Sequence, residues 1–148
     1  MTIDHVLYYL EWLKIDKERK YEAYMRIHSR ATSPQCALGH DGMPHASDPH
    51  ARERLLTECG DALNAYYDAV DSYWNYKALL EKNIDKLDYK YRIALYYKYI
   101  WNLDRGREYR INGIARSLSI KRVEVPAIVD EAKAKLADHL RAHGAKIE

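Results

Sequence analysis

A chain of 148 residues is about one domain long and can bury roughly two-thirds of its unfolded surface without help from a metal or a disulfide. Apolar residues at 47% and charged residues at 31% exclude disordered and collagenous classes, and no apolar run approaches the ~18 residues of a bilayer span. Two cysteines, Cys36 and Cys59, are too few for a disulfide framework; with an acid-bearing N-terminal stretch that does not read as a signal peptide, a cytoplasmic protein with no membrane partner is expected.

Residues 2–30 read as a helix. Thr2 is placed to cap it, and Ile3, Val6, Leu10 and Leu13 follow 3–4 spacing before the stripe weakens at Lys17 and Lys20. Residues 31–50 carry three of the four prolines and two glycines, a composition that rejects both helix and strand and predicts an irregular hinge loop. Asp48 and Pro49 are suited to open the next helix. Over 50–87, Leu56, Leu63, Val70, Lys77 and Ile84 share one heptad position, and Cys59, Tyr66, Tyr73, Leu80 and Leu87 share the other. That seam predicts a coiled-coil-like helix about 55 Å long at 1.5 Å per residue. Such a helix needs a partner, either the first helix folded back or a second copy of the chain. Lys77 either fixes the register of the seam or lays its stem along it with the ammonium in water.

Residues 88–102 form another helical pattern, with Ile93, Tyr96, Tyr97, Ile100 and Trp101 on its apolar face. Two shorter patterns follow, at 110–118 and roughly 122–142. No period-two alternation occurs. The fold class is therefore all-α: a long antiparallel or coiled-coil helical hairpin over 1–87, with the hinge at 31–50, followed by a trihelical helix-turn-helix unit over 88–148.

The second part carries the charge. Residues 86–125 hold ten bases and four acids, an excess of +6 in a chain whose net charge is only +2. Local basicity of that size can attract phosphate backbones or an acidic protein face. Within it, INGIARSLSIKRVEVPAIV has the spacing of a helix-turn-helix, two helices crossing steeply through a short turn. Ala115 is small enough for a close crossing. Ile114, Leu118, Ile120, Val125 and Ile128 occupy the places that must face a third helix. Ser119 stands where a left-handed backbone usually selects glycine. Pro126 would break a helix begun at Arg122, so the second helix is expected to start about a turn later, with Pro126 near its first position.

The stretch RINGIARSLSIKRVEVPAIVDEAKAKL, preceded by ALYYKYIWN, resembles region four of bacterial sigma factors. More closely, it is similar to the phage and prophage ArpU/RinA-like late transcription regulators, which carry such a region behind a helical N-terminal part. The hinge words ATS at 31–33, MP at 43–44 and Ser47–Asp48 are similar to those of a phage and prophage family of the same kind. The resemblance implies a DNA-binding regulator acting with host RNA polymerase in the host cytoplasm. It places base-reading positions on Arg122, Val123, Glu124, Pro126 and Ala127, of which only Arg122 and Glu124 can make polar base contacts.

Phosphate contacts would come from Arg105, Arg107, Arg110, Arg116, Lys121 and Arg122, assisted by Asn112 and Ser117. The expected partner is double-stranded DNA, bound by a homodimer held through the hairpin. An alternative keeps the unit but turns it toward a host protein (RNA polymerase, a sigma factor or a nucleic-acid-handling effector), since Tyr and Arg are common interface anchors.

Cys36, His40, His45 and His50 fall in the hinge at spacings of four, five and five. That is too loose for paired zinc ligands, so solvated loop histidines are expected and no metal or other cofactor is assigned. The chain has no G-x-S-x-G, no G-x-x-x-x-G-K and no H-E-x-x-H, so no enzyme is expected.

Overall fold

Thr2 begins the first helix as its spacing predicts. Its carbonyl accepts from Val6 N–H at 3.3 Å, and its hydroxyl receives the His5 N–H at a long 3.4 Å. The computed structural model describes residues 1–32, 50–101, 103 and 105–148, and all regular structure among them is helical. Helix α1 runs Ile3–Thr32 and α2 Ala51–Ile84. Helix α3, Tyr89–Leu95, continues into a wider π-helical turn, Tyr96–Ile100. Helix α4 is Arg107–Leu118; a 3₁₀ turn at Arg122–Glu124 then leads into α5, Val125–Ala142. Among the described residues no helix is long and apolar enough to cross a membrane.

Two compact units form, one from Met1–Trp12 with Trp74–Glu148 and the other from Leu13–Tyr73. The ends of the hairpin thus fold with the C-terminal helices.

In the unit Leu13–Tyr73, the two long helices meet antiparallel within one chain. Lys17 lies over the Tyr73 ring at 4.4 Å, Tyr21 meets Tyr66 with ring centroids 5.3 Å apart, and Arg30 reaches Glu58 at 3.6 Å. Early residues of α1 pair with late residues of α2, as a folded-back partner requires. The heptad seam is only partly used here: Tyr73 is buried, but Cys59, Leu63 and Tyr66 are half-buried and Leu56 is 52% exposed.

The other unit holds most of the core. Leu7, Leu10, Leu80 and Ile84 from the hairpin ends are buried together with Leu95, Ile114, Val125 and Leu136. At ~1.5–3 kcal/mol for each such side chain, this core dominates the stability. Tyr76 ties α2 to α1 by donating its hydroxyl to the Val6 carbonyl, and Lys133 of α5 reaches Asp4 at 3.1 Å. Lys77 is half-buried, with its ammonium 4.8 Å over the Trp74 ring and 3.8 Å from Glu81, which fits a stem laid along the seam.

Residues 88–102 depart from the expected single helix. The Trp101 N–H reaches back five residues to the Tyr96 carbonyl at 2.6 Å, and the chain leaves helical geometry at Trp101. The buried set is Tyr91, Ala94, Leu95, Tyr99 and Ile100, whereas Trp101 is exposed and stacks on Tyr96 at 4.9 Å. Apolar residues fall on more than one side of this segment, so spacing alone does not choose the buried face.

The turn between α4 and α5 follows from one residue. Ser119 adopts φ 53, ψ 43. Its N–H bonds to the Arg116 carbonyl at 3.3 Å, and the Ile120 N–H bonds to Ala115 at 3.0 Å, a paired closure of the α4 carbonyls. Helix α5 opens with Pro126 in its first turn, where its missing N–H removes no intrahelical bond.

Two measurements check this account. A left-handed serine costs about 1–2 kcal/mol that glycine avoids, offset partly by glycine's greater unfolded-state freedom. Ser119→Gly should therefore raise stability by about 0.5–1 kcal/mol and the melting temperature by about 2–4 °C; a drop would show that the serine side chain stabilises the turn. Burial, reinforced by Tyr9, pushes the Tyr76 phenol up to about 12. Above its ordinary value of about 10 the unfolded chain sheds this proton while the folded chain keeps it. The contribution is complete below pH ~10 and is lost as pH rises through about 12. In denaturation series, Tyr76→Phe should start about 1 kcal/mol less stable and decline less steeply than the parent over that window.

Candidate nucleic-acid interface

Helix α4, the turn and the start of α5 carry all the expected contact residues except Arg105, which lies just before α4. Spacing along α4 divides them. Glu108, Asn112 and Arg116 follow one another at i, i+4 and share one face, with Asn112 and Arg116 exposed. Arg107 and Arg110 point round the helix to another side. Arg110 is half-buried and donates Nη1 to the Lys98 carbonyl at 2.7 Å, so it links α4 to the π-helical turn. Arg105 stacks its guanidinium 5.3 Å from the Tyr109 ring. Ser117 is half-buried.

The two polar base-reading positions are both engaged within the chain. Arg122 forms an ion pair with Glu108, joining the turn to the first turn of α4. The Glu124 carboxylate accepts the Lys121 N–H at 3.2 Å and caps the 3₁₀ turn. As an acid just before α5 it also complements the positive end of that helix. Both partners of the Arg122–Glu108 pair are more than half exposed, so the pair is weak and exchangeable. Lys121 is exposed, and Val123 projects at 83% exposure.

The packing behind this face is close. A Cβ on Gly113 would lie 2.6 Å from the Tyr97 ring, so only glycine fits there as the side chains stand. Sequence spacing points to Ala115 as the small residue of the crossing; Ala115 is half-buried, and the tight approach is made two positions earlier. Ile114 and Val125 are each 1% exposed, and Leu118, Ile120 and Ile128 are half-buried. Sequence reasoning missed Glu108 as the partner of Arg122. The two stand fourteen positions apart, and only the turn geometry joins them.

Of the hinge residues considered for a metal, Cys36, His40 and His45 lie outside the described residues, as do the helix-opening candidates Asp48 and Pro49. His50 is described, with Nδ1 3.1 Å from a Glu53 carboxylate oxygen.

Comparison of the chain with protein-family models, curated proteins and solved structures finds no match.

Proposed function

We propose that the chain is a phage-type DNA-binding transcription regulator that docks the α4–α5 helix-turn-helix on double-stranded DNA in the host cytoplasm. The observation that carries this reading is the exposed rim of the turn: Lys121 and Arg122 lead into Val123, an apolar knob 83% exposed at the entry to the second helix. Cations there suit phosphates, and a valine suits a thymine methyl. Arg105, Asn112 and Arg116 extend the surface along α4. Arg110 plays a structural part because its guanidinium is held inward. With Glu124 used as a cap, most of the affinity comes from backbone contacts and is strongly salt-dependent.

The engagement of Arg122 and Glu124 within the chain favours a second reading, in which the same unit binds a host protein such as RNA polymerase or a sigma factor. Exposed Tyr89 and Tyr109 would serve as its anchors.

Duplex titrations over a salt series separate the two. The DNA reading expects binding at about 50 mM salt that weakens steeply toward about 200 mM. Arg116→Ala should flatten that slope by about one phosphate contact, and Glu108→Gln, which releases Arg122, should tighten binding about threefold at low salt. No duplex binding at about 50 mM salt ends the DNA reading and leaves the protein-binding one.

We also propose a homodimer, supported by the seam residue Leu56 and the exposed Ile15, Met25 and Tyr67 in the unit Leu13–Tyr73. Two helix-turn-helix units would then meet repeated half-sites. Solution mass should equal twice the 17.4 kDa chain, and a strict monomer at about 100 μM would refute the dimer.

A further inference from the structure

Arg107 and Arg110 leave the outer face because the side of α4 that bears them borders a cavity of about 390 Å³. Tyr8, Ile111 and Pro126 give it an apolar floor with accessible surface, backed by Ile114, Val125 and Val129, each no more than 2% exposed. Lys98, Arg107 and Arg110 supply three cations to the lining, against one acid, Glu11. Lys98 is held below the usual lysine range, first by burial and then by Lys133 and Arg107, with Asp130 and Asp4 opposing. An anion would relieve that crowding.

Behind the lining, the Arg110 Nε is buried without a hydrogen-bond partner, and the Tyr99 hydroxyl is buried beside Tyr8, whose ring stands edge-on at 5.3 Å. The volume lies within the roughly 300–1,000 Å³ of small-molecule sites. A cationic wall over an apolar floor selects a ligand with both characters.

We propose that this cavity binds a small organic anion: a carboxylate or phosphate head facing Lys98, Arg107 and Arg110, with a ring-sized apolar body against Tyr8, Ile111 and Pro126. The site stands independently of DNA recognition.

The test is NMR titration of the folded full chain with four probes: phenyl phosphate, benzoate, benzyl alcohol and inorganic phosphate. Phenyl phosphate or benzoate should saturate at one equivalent and shift the α4 and α5 amides around the cavity. Benzyl alcohol, which lacks the charge, and inorganic phosphate, which lacks the body, should each bind at least about tenfold more weakly. Arg107→Ala, at an exposed position, should weaken binding about tenfold, and Ile111→Trp should block it. No saturable shift by about 10 mM with either aromatic anion overturns the proposal. So does inorganic phosphate or benzyl alcohol binding as well as the aromatic anions, or binding unchanged in Arg107→Ala while the amide spectrum shows that variant folded.

Discussion

The arrangement of the C-terminal helices depends on a single backbone reversal. Ser119 holds a left-handed conformation that costs a non-glycine residue energy, and it persists because both sides of the turn are anchored. Ile114 before it and Val125 after it are buried in the same core, and the freed carbonyls of α4 are closed by the N–H groups of Ser119 and Ile120. Without that reversal α4 would run on, and neither the exposed rim at Lys121–Glu124 nor the cavity beside Arg107 would exist.

The basic stretch serves several purposes, and magnitudes separate them. Arg110 is part-buried with a short bond to a backbone carbonyl, an interaction that resists exchange. Arg122 is exposed and paired with an equally exposed carboxylate, an interaction worth little and readily traded for a phosphate. Side chains of one type, twelve positions apart, thus have different availability because one lies against the core and the other at a turn. The excess of +6 over 86–125 is a count of charge, and burial decides how much of it reaches a partner.

Much of the fold was legible in the sequence because it rests on local rules. The helical class, the Thr2 cap and the late start of α5 at Pro126 follow from what those residues permit their own backbone to do, and the left-handed turn at Ser119 follows from its place in the helix-turn-helix spacing. The division of the hairpin was not legible. Heptad spacing marks Leu56 and Ile84 alike as seam, yet one is half exposed and the other fully buried, because only the second has C-terminal helices around it. The π-helical turn has no signature in the residue types of Tyr96–Ile100. In the candidate site, the cations were legible from type and spacing. The Glu108–Arg122 pair, the Gly113–Tyr97 approach and the Arg110 bond to the Lys98 carbonyl were not, since each joins residues that only tertiary packing brings together.

The bond between Asp4 and Lys133 spans 129 positions of sequence. The opening turns of α1 therefore emerge from the ribosome long before α5, whose residues complete their core. Until then Leu7 and Leu10 have no finished shelter, while the antiparallel middle of the hairpin can already close on itself. The buried contacts of the earliest-made segment are thus completed only once the last helix has been synthesised.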